Sequence, residues 1–299
     1  SAASDVYKRQ LVYYRTTEPV HYLRSHSRNM VFRLAEGKIV CNLDADNYLG
    51  KGFAEFMLKE FQEKKKIFYT SNLCVRDVFG RICLEKEAFM AVKGYNELLV
   101  GYGVEDADLF KRLSCIGLRR HVFIQENFYG ALTHEDNERV VEEPLLKKLY
   151  ALYLDYIDPY STRILMLYKG NFWGMGVLQN NVAMNCNRND IERDRIEQCM
   201  SDKYRFVVKE EWKEGEWCNV DGGILLNGKY LFVDNQKGLC YRDRYFYKVT
   251  DVDLIVTVVL LITEALNYSK VKRTLDNNEC VNSQGFGLSL IHISEPTRP

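Results

Sequence analysis

Residues Lys38–Asn47 read K-I-V-C-N-L-D-A-D-N. Lys38–Leu43 is short and largely apolar and carries two β-branched residues, the pattern of a buried strand. It runs directly into Asp44-Ala45-Asp46. Side chains alternate along a strand, so this spacing predicts Asp44 and Asp46 on one face with Ala45 opposed. Two carboxylates at the carboxyl end of a strand suit a divalent cation and the diphosphate it bridges. The competing reading of a D-x-D is a solvated turn.

Outward from that stretch, helix and strand signals alternate. Leu11–Arg15 reads as a strand. Ser25 or Ser27 could cap a helix running through Glu36, with Met30, Val31, Leu34 and Ala35 at core spacing and Gly37 as its stop. Gly52–Lys64 is amphipathic, with Phe53, Phe56, Met57 and Phe61 on one face. Ile67–Val75 predicts a strand, Asp77–Arg81 with Gly80 a turn, and Lys86–Val92 a short helix ended by Gly94. Strands alternating with helices place this half in the α/β class.

Gly101–Leu109 reads G-Y-G-V-E-D-A-D-L. Two glycines give a flexible loop, and Glu105 and Asp106 then fall in the first turn of a helix. A helix N-terminus favours negative charge, so ordinary capping is one account of them. His134 follows a strand-like run from His121 to Ile124 and the aromatic pair Phe128-Tyr129. A lone histidine is more often structural than a ligand.

Composition bounds the rest. The chain has 299 residues, enough for two domains. Its 46% hydrophobic and 27% charged content is that of a globular protein. Formal net charge is zero and no basic run suggests nucleic acid. Nine cysteines make an odd number and none forms a C-x-x-C, which argues against a disulfide framework or a zinc site and favours a reducing compartment. Residues 1–10 and 288–299 look like translated sequencing adapters and are expected to be scars. The natural fragment is then about Leu11–Gly287.

In this order the pieces resemble family 2 glycosyltransferases with the GT-A fold, in the branch with a galactosyltransferase-type second half. The matching stretches are S-R-N at Ser27–Asn29, L-D-A-D-N at Leu43–Asn47, K-G-Y-N-E at Lys93–Glu97, G-Y-G-V-E-D-A-D-L-F at Gly101–Phe110, and T-H-E-D-N-E-R at Thr133–Arg139. The resemblance covers roughly residues 11–145. It implies a Rossmann-like mixed sheet over 11–150, lacking the family's first strands, which carry most uracil and ribose contacts. Asn96 stands where the family commonly has Asp.

The resemblance also implies a chemistry: transfer of a sugar, hexosyltransferase type, from a nucleotide sugar, with a UDP-sugar expected, to a hydroxyl of a glycan or glycolipid. Asp46 and His134 would hold the metal, with Mn²⁺ favoured over Mg²⁺ because an imidazole ligand suits the softer ion. Asp44 would contact the donor ribose, or the metal through water. Asp106 would be the base and Glu105 would orient the acceptor. Tyr102 would lie beside the sugar and Arg28 would face the diphosphate, although Arg28 also reads as a surface helix arginine. Single displacement with inversion follows, as does a role in polysaccharide synthesis in the cytoplasm or at the inner membrane face, with peripheral membrane association. The alternatives are a non-catalytic glycan- or nucleotide-binding protein of the same fold and a metal-dependent nucleotidyltransferase.

Beyond Tyr150 the texture changes. Leu145–Tyr156 reads as helical and aromatic, and Pro159 marks a boundary. Arg163–Tyr168 and Phe172–Leu178 read as a hairpin, and Tyr204–Val208, Gly223–Leu226 and Lys229–Val233 as strands, with Asn227-Gly228 a strong turn signal. Trp212 and Trp217 could stack on a sugar or pack a core. Asp251–Leu266 keeps helical spacing with Asp251 or Asp253 as cap, and its β-branched content leaves strand open. Its apolar core, Leu254–Thr263, is too short for a membrane span. Residues 160–287 are thus expected to form an α+β, β-rich accessory domain.

Overall fold

The structure is a computed structural model and describes residues 15–16, 22–72, 77–133, 143–179, 207–208, 212–234, 238–242, 244–276, 281–288 and 291–292. Expectations for Leu11–Tyr14, Leu73–Val75, His134–Arg139, Tyr204–Phe206 and the first scar lie outside these residues. The chain divides into two compact units. One joins Ser1–Val100, Val104–His134 and Val271–Pro299; the other joins Gly101–Gly103 and Glu135–Lys270.

In the first unit a four-stranded sheet is built from β1 (Ile39–Asn42), β3 (Ile67–Thr70), β4 (Ile82–Glu85) and β5 (Arg119–Val122), in the order β1-β4-β3-β5. β4 runs antiparallel to both β1 and β3, while β3 and β5 are parallel. Strand alternation sorts the side chains. Phe68, Ile82 and Leu84 point to a core shared with Phe32 of α1 (Arg24–Leu34), Phe89 of α3 (Lys86–Ala91) and Leu109 and Leu113 of α4 (Glu105–Cys115). Ile67, Tyr69 and Cys83 point the other way, onto Phe53, Met57 and Phe61 of α2 (Phe53–Glu63). Helices thus cover both faces of the sheet. A two-residue ladder, β2 (Asn47–Tyr48) with β6 (Gly130–Ala131), ties the end of the D-x-D segment to the chain beyond β5.

Two local expectations are corrected. Neither Ser25 nor Ser27 caps α1. Leu23 holds that position without a side-chain bond, and the Ser27 amide already donates to the Leu23 carbonyl at 2.9 Å, which places it inside the first turn. The strand before the D-x-D ends at Asn42, so Asp44 and Asp46 do not share a strand face. Asp44–Asn47 is a turn closed by the Asn47 amide on the Asp44 carbonyl at 2.9 Å. The Asn42 amide starts the departure from the sheet by donating to the Gly80 carbonyl at 3.0 Å and to Asp44 Oδ1 at 3.4 Å.

In the second unit eight strands form a closed barrel in chain order. They are β7 (Leu149–Asp158), β8 (Ser161–Tyr168), β9 (Phe172–Gln179), β10 (Lys213–Val220), β11 (Gly223–Leu226), β12 (Lys229–Asp234), β13 (Gly238–Tyr241) and β14 (Arg244–Lys248). β14 closes on β7 through Tyr247 opposite Leu154 and Lys248 opposite Tyr153. Leu149–Tyr156 is therefore strand, not the expected helix; only Pro144–Lys148 (α5) is helical. Alternation decides it, since Tyr153 faces the barrel interior while Leu152 and Leu154 face outward. The expected boundary at Pro159 lies within the β7–β8 hairpin. The Asn227-Gly228 turn is present, with φ of 46° and 78°.

Outside the barrel, β7 and β8 pack against α6 (Val252–Asp276), whose Val258, Val259, Leu261 and Ile262 are buried. Asp251 Oδ1 accepts from the Asp253 and Leu254 amides at 3.0 and 3.1 Å, so it caps this helix. At 25 residues α6 is longer than its apolar pattern suggested, and is long and apolar enough by length and composition to cross a membrane. Half of its apolar stretch is buried within this structure.

Trp217 is a barrel-core residue, 5% exposed, and its indole N–H donates to the Tyr168 carbonyl at 3.1 Å. Trp217→Ala is therefore expected to cost about 3–5 kcal/mol in chemical denaturation, the range for large core aromatics. A loss under about 1 kcal/mol would return Trp217 to the surface as a stacking platform.

Candidate functional site

The first unit gathers five charged side chains from three places in the sequence. Arg24 and Arg28 lie four residues apart on one face of α1. Asp44 comes from the turn after β1. Glu105 and Asp106 open α4. Arg28 joins them: its Nη1 donates to Asp106 Oδ1 at 2.9 Å and its Nη2 to Asp44 Oδ1 at 3.1 Å. Nη1 also lies 3.5 Å from Glu105 Oε1, which Arg24 Nη1 reaches at 3.4 Å. The Arg28 side chain is 11% exposed, which removes the surface-arginine reading. Its Cζ sits 5.3 Å from the centre of the wholly buried Tyr95 ring.

The backbone before α4 is strained. Val104 adopts φ 78°, a left-handed conformation that a β-branched residue rarely takes. Such a residue stores about 1–3 kcal/mol and persists only where its surroundings impose it. Its carbonyl accepts from the Asp108 amide at 2.9 Å, which sets the first turn and presents Glu105 and Asp106. One turn on, Asp108 takes two bonds from Arg112, at 2.9 and 2.6 Å, and Arg112 also donates to the Val92 and Gly94 carbonyls at 2.7 Å. That pair fixes the helix to the K-G-Y-N-E loop.

Three carboxylates meet two guanidiniums here, so one negative charge is uncompensated. Its burden falls on Asp106. Burial pushes its carboxyl up, Arg28 and Arg24 pull it down, and Glu105 and Asp44 push it up again, leaving it at about 7 against an ordinary 3.8. Arg28 moves in the complementary sense. Burial by itself would lower it, but Asp106, Tyr95, Glu105 and Asp44 hold it above its ordinary value. The buried Tyr95 hydroxyl has no hydrogen-bond partner among the described residues, and burial first, then Asp106, drives it well above the usual phenol range.

Gly80 completes the cluster and was noted in the sequence only as a turn residue. A Cβ there would stand 3.0 Å from Arg28 Nη2, 3.1 Å from Asp106 Oδ2 and 3.3 Å from Asp44 Oδ2. Its absence lets the backbone close over the three charges. Next to it Arg81, 1% exposed, donates to Asn47 Oδ1 at 2.7 Å, to the Gly130 carbonyl at 3.2 Å and to the Phe128 carbonyl. It thereby pins the D-x-D turn to β6.

Of the expected site residues, Arg28, Asp44, Glu105 and Asp106 are brought together. Asp46 lies at the same turn but points to a different partner: its Oδ1 accepts from Asn47 Nδ2 at 2.8 Å. His134 is outside the described residues. Tyr102 falls in the second unit, half-buried against Val256 and Leu260 of α6. Among the described residues no group of three or more His, Cys, Asp and Glu side chains is placed to enclose a metal ion.

A family model described as the N-terminal domain of galactosyltransferase matches residues 72–135. That span includes Gly80, Tyr95, Glu105 and Asp106. The chain therefore carries a glycosyltransferase-like domain. No curated protein and no solved structure shows a significant match to the chain.

Because the folded-state Asp106 carboxyl titrates at about 7 rather than 3.8, the native protein holds an extra proton between those values. Asp106 thus supports folding most below that window, and stability falls as pH rises through it. Asp106→Asn is expected to flatten this part of the denaturation-midpoint profile between pH 4 and 7. An unchanged slope would mean that Asp106 titrates normally. Gly80→Ala is expected to cost about 1–3 kcal/mol, the usual price of overpacking. A neutral result in urea titrations would show that the backbone does not approach the charges closely.

Proposed function

We propose that the chain is an inverting, metal-dependent glycosyltransferase of the GT-A type and of family 2. It transfers a sugar from a nucleotide-sugar donor, a UDP-sugar, to a hydroxyl of a glycan or glycolipid. One observation carries the reading. Within the span matched to the galactosyltransferase model, a buried carboxyl sits at about 7, on a strained helix start, beside a shared arginine.

A base that takes a proton from an acceptor hydroxyl works best with a pKa near the working pH. Asp106 meets that condition and is assigned as the base; Glu105, on the same turn, orients the acceptor. Arg28 and Asp44 bind the donor, with Arg28 facing the diphosphate and Asp44 the ribose. With Asp106 as base and no covalent nucleophile invoked, the reaction is a single displacement and inverts the anomeric carbon.

Asp46 and His134 would hold the cation. Asp46 suits the role chemically, as a half-exposed carboxylate steadied by Asn47. When bound, the divalent cation, Mn²⁺ rather than Mg²⁺ for a set containing imidazole, neutralises charge on the departing diphosphate.

A thermal-shift panel of UDP, GDP, CDP and ADP, each with and without Mn²⁺, tests the reading. Stabilisation by UDP, only with metal and absent in Asp46→Asn, is expected. Asp106→Asn should keep that stabilisation and lose turnover on the order of 10²–10⁴-fold in a sugar-transfer assay. Stabilisation without any turnover in the wild type would favour the binding-protein alternative, metal-dependent nucleotidyl transfer without sugar transfer would favour the nucleotidyltransferase, and full sugar transfer by Asp106→Asn would remove Asp106 as the base.

A further inference from the structure

The segment Val281–Leu288 lies far in sequence from the K-G-Y-N-E loop, yet within the first unit it is bonded to it. Asn282 Nδ2 donates to the Lys93 carbonyl at 2.7 Å and to the Tyr95 carbonyl at 2.6 Å. Asn282 Oδ1 accepts from the Glu97 amide at 3.0 Å, and the Gly287 amide donates to Glu97 Oε1 at 2.9 Å. From the other side, Asn29 of α1 exchanges bonds with the Tyr95 backbone at 2.8 and 2.7 Å. The Tyr95 carbonyl therefore accepts from two buried or half-buried amides, one on α1 and one on the distant segment, which fills its two lone pairs.

The approach is close on both sides. A Cβ on Gly94 would stand 2.4 Å from Asn29 Oδ1 and 2.6 Å from Phe286 Cε2; one on Gly287 would stand 2.8 Å from the Asn29 carbonyl carbon. Both glycines have left-handed φ, 67° in each case. Phe286 is 3% exposed and packs with Phe89, and Arg33 holds the segment's outer edge through the Gln284 carbonyl at 3.0 Å.

We propose that Asn282 is a positioning residue for the charge cluster: it fixes the Tyr95 backbone, and so the ring on which the Arg28 guanidinium rests while it spans Asp44 and Asp106. This deepens the transferase reading and rests on it for its functional consequence. The physical chain is short: Asn282 to the Tyr95 carbonyl, the Tyr95 ring to Arg28 at 5.3 Å, and Arg28 to the two carboxylates. Among the described residues no partner holds the Tyr95 hydroxyl, so the backbone bonds and packing hold the ring.

A double-mutant cycle on the full chain tests this. Asn282→Ala and Arg28→Lys are made singly and together, and melting temperatures are compared. The double variant is expected to lose less than the sum of the singles, by roughly 2 °C or more. Arg33→Ala is the control: it also loosens the segment but does not touch Tyr95, so its loss should add to that of Arg28→Lys. Additive behaviour of Asn282→Ala, or equal coupling by Arg33→Ala, overturns the proposal and leaves the segment a plain core closure. If Asn282→Ala does not fold, Asn282→Ser takes its place in the same cycle. In parallel, Asn282→Ala should weaken the UDP–Mn²⁺ thermal shift while Arg33→Ala preserves it. A wild type that nucleotide does not stabilise would sink the transferase reading, whereas the cycle would still decide the role of Asn282.

Discussion

The Arg28 guanidinium fork sits between Asp44 and Asp106, and much of the first unit is arranged to keep it there. Each of its two outer nitrogens takes a carboxylate from a different element, so one side chain holds the D-x-D turn and the start of α4 in a single arrangement. A planar, always-charged group is suited to this task, and a lysine could not span both partners. Removing such a charge from water is costly. Here the return is a site in which burial, helped by two neighbouring acids, raises one carboxyl to about 7 beside the guanidinium.

The support around that fork is layered. Behind the D-x-D turn, Arg81 is buried and bonded to Asn47 and to the β6 segment. Beneath Arg28 lies Tyr95, held by amides from α1 and from Val281–Leu288. Above it Gly80 leaves out the side chain that would part the charges. Val104 stores strain one residue before Glu105, and Arg112 locks the following turn to the Lys93–Glu97 loop. Only the strained Val104 would cost stability by itself; together these features leave the cluster little freedom to relax.

The sequence made the elements of the first unit readable, because helix and strand periods there are undiluted. Phe53, Met57 and Phe61 mark α2, and the apolar run at Ile39–Asn42 marks β1. It could not place the D-x-D geometry, because the strand stops two residues earlier, when Asn42 turns its amide to Gly80. Arg28, Asp44, Glu105 and Asp106 were visible as residue types, but their sharing of one guanidinium depends on contacts 16 and 78 residues apart. Gly80 and Asn282 were hidden for the same reason, since each matters only through partners that local sequence does not name. In the second unit the Asn227-Gly228 turn announced a hairpin. The barrel itself was not legible, because its closure depends on β14 meeting β7 about a hundred residues back. The leucines that begin that stretch form a real helical turn before the strand starts, which is why helix looked right.

The central claim is that burial, first of all, pushes the Asp106 carboxyl up to about 7, with Glu105 and Asp44 adding to it against the pull of Arg28. Carbon-13 NMR of the aspartate carboxyl carbons, assigned with Asp106→Asn and followed from pH 3 to 9, tests it directly. The account predicts that the Asp106 resonance titrates at about 7. Titration near the ordinary aspartate value would contradict it, because the Arg28 pair would then satisfy Asp106 fully and no carboxyl in the cluster would be poised to take a proton.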